Sequence, residues 1–194
     1  YVSILGSHPD SKNGCLASKG RAEEILAGGS VPSTTLRVPM VLGPDEIAAG
    51  ALRGQALAPF AFLARGGATL EQPIDERDLV QAIRLAARDE GPETHGLDLA
   101  GPESLSHAAL VRRVGAVLGR TPRVLPIPLG AVKLLASLFE AVSASPPLTG
   151  DMLGVLEHDD DIDPVPTCRA LGLELTPLDD TLKHVFLPDG APTS

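Results

Sequence analysis

The sequence predicts an α/β fold: a short parallel sheet with helices on its faces, followed by a mostly helical lobe. Three observations predict it. Short apolar, β-branched runs alternate with helix-period runs through the first half, which is the pattern of βαβ units. The second half carries helical periodicity almost throughout. The 194 residues are 43% hydrophobic and 21% charged, enough apolar side chain for a core and too little charge for a disordered chain.

The elements follow in order. Tyr1–Leu5 (YVSIL) is a buried-strand run closed by Gly6, and GSHPDSKNG is loop by composition. Cys15–Ala27 reads as a helix, with Leu16, Ala22, Ile25 and Leu26 near one face and Gly28-Gly29 ending it. Thr34–Val38 is the next strand and Asp45–Leu52 a short helix. Ala61–Leu63 and Thr69–Ile74 flank Arg65-Gly66-Gly67-Ala68 as a hairpin or paired β-arms. Glu76–Arg88 is a strong helix with Asp75 as its N-cap. Gly96–Ala100 is a short strand. Ser106–Leu118 is a helix capped by Ser104 or Ser106, with Gly119 after it. Arg123–Pro126 is extended. Leu129–Val142, Thr149–Leu156, Pro164–Leu171 and Leu178–Phe186 complete the helical half.

Charge and cysteine content exclude several classes. The net charge of −9 argues against a phosphate-backbone reader, which needs a basic face. No window approaches the ~18 consecutive apolar residues of a spanning helix. The two cysteines are too few for a disulfide framework, and with no signal peptide the expected compartment is the reducing cytoplasm.

Five segments together resemble the extended and atypical short-chain dehydrogenase/reductases, the NAD(P)-dependent sugar epimerase/dehydratase group. The nearest look-alikes there are NAD(P)H-binding proteins related to an accessory subunit of respiratory complex I. YVSILGS resembles the family's fifth strand, CLASKGRAEEIL its YxxxK helix, and TTLRVPMVLGP its R-x-P-x-V-x-G-P segment. PIDERDLVQAI resembles the helix start that follows the substrate loop, and TPLDDTLKHVF the final helix. The resemblance implies the C-terminal part of a Rossmann-type doubly wound parallel sheet plus a helical substrate lobe. Residues 1–100 would be the sheet part, with a substrate-loop insertion at about 44–74, and residues 101–194 the lobe. The glycine turn that cradles a pyrophosphate, G-x-x-G-x-x-G, does not occur in the sequence. The expectation is therefore a chain lacking the dinucleotide-binding half. The alternative is a small α/β domain complete in itself. The edge of the Tyr1–Leu5 strand is expected to pair with a second copy or with a separate N-terminal fragment.

The resemblance also places the site. The family's tyrosine works as acid/base beside a lysine four residues later; here those positions are Cys15 and Lys19. An i,i+4 pair shares one helix face, and a cation beside an acid favours its ionised form. Cys15 is either a degenerate acid/base or a small packed residue, and Lys19 either a ribose ligand or a solvated lysine. Ser3, near the family's hydroxyl donor, is either catalytic or a strand serine bonded to backbone; Ser7 lies near the same place. The backbone of Pro39, Met40 and Val41 is expected to face the nicotinamide. NAD or NADP is the cofactor implied for the full-length protein, and the chain alone is expected to bind none and to be inactive.

Other chemistries are not supported. Asp159, Asp161 and Asp163 alternate as in a calcium loop, but Pro164 stands where that loop needs glycine and Ala170 where it needs glutamate. Glu157–Asp163 is therefore expected to be a solvated acidic loop with no metal. His8, His95, His107, His158 and His184 show no zinc-site pairing, and no GxSxG occurs. Two functions remain: an NAD(P)-dependent oxidoreductase or epimerase acting on an unidentified small molecule, or a non-catalytic dinucleotide-binding assembly or regulatory subunit. The apolar stretch ALAPFAFLA in the expected substrate loop suggests a hydrophobic substrate.

Overall fold

Strand and helix alternate where the hydrophobic periods predict, and the strands pair in parallel. The computed structural model describes residues 1–88, 96–128, 130 and 158–187. The helices expected at Leu129–Val142 and Thr149–Leu156 lie outside the described residues, as does His95. β1 (Val2–Ile4), β2 (Leu36–Val38) and β7 (Leu97–Asp98) form a three-stranded parallel sheet in the spatial order β1-β2-β7. Val2 faces Leu36, and Leu36 faces Leu97. After β2 the chain bends at Pro39-Met40 and pairs again: β3 (Val41–Leu42) runs parallel to β6 (Ile74–Asp75), with Ile74 N–H donating to Met40 O at 2.9 Å. Pro39 thus joins two pairings rather than ending the sheet.

Between β1 and β2 lies α1 (Gly14–Ala27). Asn13 caps it, its Oδ1 accepting from the Cys15 and Leu16 amides, and Gly28 ends it. α3 (Glu76–Ala86) starts at its expected cap, with Asp75 Oδ1 accepting from Arg77 N at 2.8 Å. For α4 (His107–Val117) the cap is Ser106, which accepts from Ala109 N; Ser104 instead donates to Asp160 O at 2.8 Å. α5 (Val165–Leu171) ends at the left-handed Gly172, and α6 (Leu178–Phe186) closes the described fold.

Two expectations about residues 45–74 are corrected. The short helix is longer: α2 spans Ile47–Leu57, because Ala49, Leu52 and Ala56 recur at helical spacing and all bury. The hairpin does not form. β4 (Phe60–Ala64) pairs in parallel with β9 (Arg123–Ile127), while β5 (Leu70–Glu71) pairs antiparallel with β8 (Leu105–Ser106). The connection explains why. Arg65, Gly66 and Gly67 all have positive φ, at 51°, 70° and 71°, which turns the chain out of β4's plane instead of folding it back. A Cβ on Gly67 would stand 2.6 Å from Leu63 Cδ1 and 2.8 Å from Ala108 N.

The stretch ALAPFAFLA is therefore the end of α2 plus β4, and not a loop. Ala61 and Leu63 face the core, while Phe60 and Phe62 face out. The suggestion of a hydrophobic substrate loses its basis with that loop.

Two apolar clusters form. Leu36, Val38, Ile74, Ala82, Leu99, Leu171 and Leu173 pack behind the sheet. The larger cluster joins α2 and β4 to α4 and α6, with Leu52, Leu63, Leu110, Val111, Leu182 and Phe186 at its centre. Arg53 from α2 lies 5.3 Å over the Phe186 ring and reaches the last carbonyls of α6.

Gly20 shows how tightly α1 is held. A Cβ there would stand 2.3 Å from the backbone carbon of His8. Helix propensity alone gives Gly→Ala a gain of about 1 kcal/mol. Here the contact is with rigid backbone, so Gly20→Ala should lower the urea midpoint; a raised midpoint would show that the loop over α1 is free to move.

Candidate functional site

The expected site residues do not gather in one place. Ser3 is 2% exposed on β1, and its hydroxyl donates to Glu23 Oε1 at 2.5 Å. Ser7 donates to the same oxygen, and Arg37 grips the other, with Nη2 at 2.6 Å and Nε at 2.8 Å from Glu23 Oε2. Arg37 also reaches Asp98 on β7 at 3.4 Å. Burial works to raise the proton affinity of Glu23, but the hydrogen bonds from Arg37, Ser3 and Ser7 together hold its carboxyl below the ordinary carboxylate range. Ser3 is thus a partner of a side-chain carboxylate, not of backbone, and its proton is committed.

Lys19 points elsewhere. Its Nζ donates to Val2 O at 3.3 Å and lies 5.2 Å over the Tyr1 ring, beside the amino-terminal end of β1. One of its three donors is spent there. Cys15, one turn earlier, is a half-buried free thiol, and the second cysteine, Cys168, is free as well. Pro39, Met40 and Val41 form the bend between β2 and β3 at the carboxyl ends of the parallel strands. In open α/β sheets that is where ligands sit.

These residues fit one end of a dinucleotide: a lysine on the helix after β1 and a backbone bend at the strand ends. They do not fit the pyrophosphate. The first amides of α1 are already satisfied by Asn13, and no glycine turn precedes a described helix. A cleft of about 310 Å³ beside Glu23 is lined by Ser7, His8, Glu24, Arg37 and Gly96. Of its charged groups, Glu23 and Arg37 are already paired with one another.

A second polar group was not legible as a site in the sequence. The acidic stretch is solvated on one side only. Leu70 N donates to Asp159 Oδ1 at 2.8 Å, and Asp160 N to Leu70 O at 3.0 Å. Gln72 brackets Ile162, donating to its carbonyl and accepting from its amide, at 2.9 and 2.8 Å. Residues 158–162 therefore run along β5 and turn Asp160 inward. Its carboxyl is pushed up to about 6, first by burial and next by the Glu71 charge; Asp159 adds to this and His158 opposes it. His158 sits against Gly6 at the carboxyl end of β1: a Cβ on Gly6 would be 3.2 Å from its Nε2. Glu71 is 7% exposed, and His107 Nδ1 stands 3.3 Å from its Oε1. Among the described residues no three His, Cys, Asp or Glu side chains are arranged to hold a metal ion.

No protein-family model matches the chain. Solved structures do. The chain superposes on a nucleoside-diphosphate-sugar epimerase from Pseudomonas aeruginosa with TM-score 0.68 and 22% identity, over 95% of this chain and 59% of that one. The human epimerase family protein SDR39U1, solved with NADPH, gives 0.66 and 22%, over 96% and 64%. The dTDP-glucose 4,6-dehydratase from Bacillus anthracis, solved with NAD, gives 0.65 and 13%, over 96% and 59%. The likeness is one of fold: the chain has the Rossmann-like α/β fold of NAD(P)-dependent epimerases and dehydratases, and it spans less than two thirds of each of these chains.

The raised Asp160 carboxyl gives a signed pH effect. Between its ordinary value of 3.8 and about 6, the native state binds more protons at this group than the unfolded state. Asp160 therefore withdraws stability as pH rises through that window. Asp160→Asn should raise Tm more at pH 7 than at pH 4, and an equal effect at both would show that Asp160 is free in water.

Proposed function

We propose that the whole protein binds NAD(P) and acts as an oxidoreductase or epimerase-like protein of the atypical short-chain dehydrogenase group. The observation that carries the reading is the fold, shared with enzymes solved with NAD or NADPH, together with the Pro39–Val41 bend at the carboxyl ends of its parallel strands. In this reading Lys19 turns from Val2 to the ribose, and the backbone of Pro39, Met40 and Val41 lies along the nicotinamide. The cofactor supplies hydride exchange when bound. In this reading Cys15 and Lys19 take the positions of the family's tyrosine and lysine, and Ser3 lies near that of its hydroxyl donor. The pyrophosphate cradle belongs to sequence beyond these residues, supplied in the same chain or by a separate fragment or second copy pairing at the free edge of β1. This chain alone binds no NAD(P) tightly and turns nothing over. Among the described residues no helix is long and apolar enough to cross a membrane, and we place the protein in the cytoplasm.

A second reading has its own support. Ser3 is locked onto Glu23, and Cys15 lacks the reach of a phenol, so the ordinary proton relay is incomplete. A dinucleotide held for stability, in an assembly or regulatory subunit, needs neither residue.

Calorimetric titration of the whole protein with NADH and NADPH separates these readings from none at all. Binding of either is expected, weakened about tenfold by Lys19→Ala, the size of one charged hydrogen bond. Hydride transfer with any carbonyl or sugar-nucleotide substrate favours the enzyme, binding without turnover favours the subunit, and absence of binding ends both.

A further inference from the structure

Hydride chemistry at the carboxyl ends of the parallel strands needs a group that gives and takes a proton, and the residues expected to do so are spent or short. The Ser3 hydroxyl is committed to Glu23, and the Cys15 side chain falls a whole ring short of a phenol. The structure brings another titratable side chain to that end of β1, from a distant part of the sequence. The His158 ring rests against Gly6, just past β1: a Cβ there would stand 3.2 Å from Nε2, 3.4 Å from Cδ2 and 3.7 Å from Cε1. His158 is exposed, and neither ring nitrogen has a hydrogen-bond partner among the described residues. Asp160, two residues on, is an acid whose charge it meets.

Both sides of this contact are fixed. On the strand side, Leu5 N still donates to Val38 O at 3.2 Å, so Gly6 leaves the sheet where β2 gives way to the Pro39-Met40 bend. Paired strands lie about 4.8 Å apart, so the strand that His158 touches is the neighbour of that bend. On the other side the segment is pinned directly after the histidine. Leu70 N donates to Asp159 Oδ1, Asp160 N donates to Leu70 O, and Gln72 brackets Ile162. Gly6 holds φ at 75°, and its missing side chain is what admits the ring. Histidine is the side chain that both gives and takes a proton near neutral pH. A ring with two uncommitted nitrogens, open to solvent and held in place by its neighbours, has what a general acid needs.

We propose that His158 is the acid/base of the reaction, in place of the phenol that Cys15 lacks, and that the substrate is a carbonyl compound or the matching alcohol. The inference rests on the proposed function for the position of the nicotinamide. In the reducing direction His158 donates its Nε2 proton to the carbonyl oxygen while the carbonyl carbon accepts hydride from NAD(P)H. A C–H and an O–H bond form, the C=O double bond becomes single, the nicotinamide is oxidised, and the imidazolium is left neutral. Solvent at the exposed ring then returns the proton. In the oxidising direction each transfer reverses.

The test uses the whole protein. Its His158 ring signals are assigned through bonds by NMR, so this arm needs no variant. They are expected to move when NADH or NADPH binds, and to move again when the oxidised form replaces it, because the nicotinamide then carries a positive charge. The second arm is His158→Gln, which fills the same space without a titratable proton. Calorimetry should give it an unchanged cofactor affinity, while kcat for hydride transfer over a panel of aldehydes, ketones and sugar nucleotides should fall about a hundredfold or more. Ring signals that ignore the redox state of the bound cofactor, or a His158→Gln protein with full kcat, would overturn the assignment and leave His158 as packing on Gly6. Binding without turnover by the unaltered protein would overturn it as well, in favour of the subunit. Absence of binding to either cofactor is the separate result that ends the proposed function, and the inference with it.

Discussion

The sheet half of the molecule depends on one buried carboxylate. Glu23 reaches from α1 toward the strands and gathers Ser3 of β1, Ser7 of the following loop and Arg37 of β2, while Arg37 extends the contact to Asp98 of β7. Three parallel strands and their crossover helix are thus fixed by a single set of polar bonds. Burying an acid costs several kcal/mol unless its oxygens are satisfied. Here both are, so the cost becomes specificity: α1 has one rotation and one height on the sheet at which Glu23 is paired. Gly20, three residues before Glu23, permits that height by letting the helix backbone touch the His8 backbone.

The lobe is held by the same device. Asp75 caps α3, accepts from the Arg77 side chain, and accepts from the Thr181 hydroxyl of α6 at 2.9 Å. Asp78, one turn on, accepts from the Thr176 amide and hydroxyl at 2.7 and 2.8 Å. Two acids at the start of one helix therefore dock the closing segment more than ninety residues later. Apolar packing alone would let α6 slide along α2 and α4. The directional bonds from Thr176 and Thr181 choose the register in which Leu182, Val185 and Phe186 bury.

Much of this order was legible and some was not, for physical reasons. Hydrophobic period and flanking turn residues located β1, β2, β7, α1, α3, α4 and α6, but the face expected of α1 is not the one it buries: Ile25 is 75% exposed, and Ala17, Gly20 and Glu23 face the sheet, because the Glu23 network and not apolar area sets the rotation of that helix. Local cap chemistry correctly named Asp75 and Ser106. Pairing over long sequence distances was not legible. Ala61 and Leu63 alternate as a strand must, but nothing local says that the partner is Arg123–Ile127 and not the adjacent Thr69–Ile74. The left-handed run at Arg65–Gly67 decides it, and its glycines read equally well as a hairpin turn. At the candidate site, the resemblance pointed to Ser3, Cys15 and Lys19, whereas Glu23, Glu71, His107 and Asp160 escaped notice. Their signal was faint but present: an arginine within the apolar run TTLRVPM asks for a buried acid, and in an alternating acidic stretch along a strand some carboxyls must turn inward.

The two ends of β1 therefore carry different chemistry. At its amino-terminal end Lys19 spends one donor on Val2 and lies over the Tyr1 ring, and in mid-strand Ser3 is occupied with Glu23 as a structural partner. At its carboxyl end, Gly6 lacks a side chain and His158 fills the space, bringing with it the segment whose Asp160 carboxyl is pushed up by burial and by the Glu71 charge. Polar groups whose bonds are complete hold the fold, and polar groups whose bonds are incomplete are available to a ligand. By that criterion the Glu23 network belongs to stability, for all that it lines a cleft.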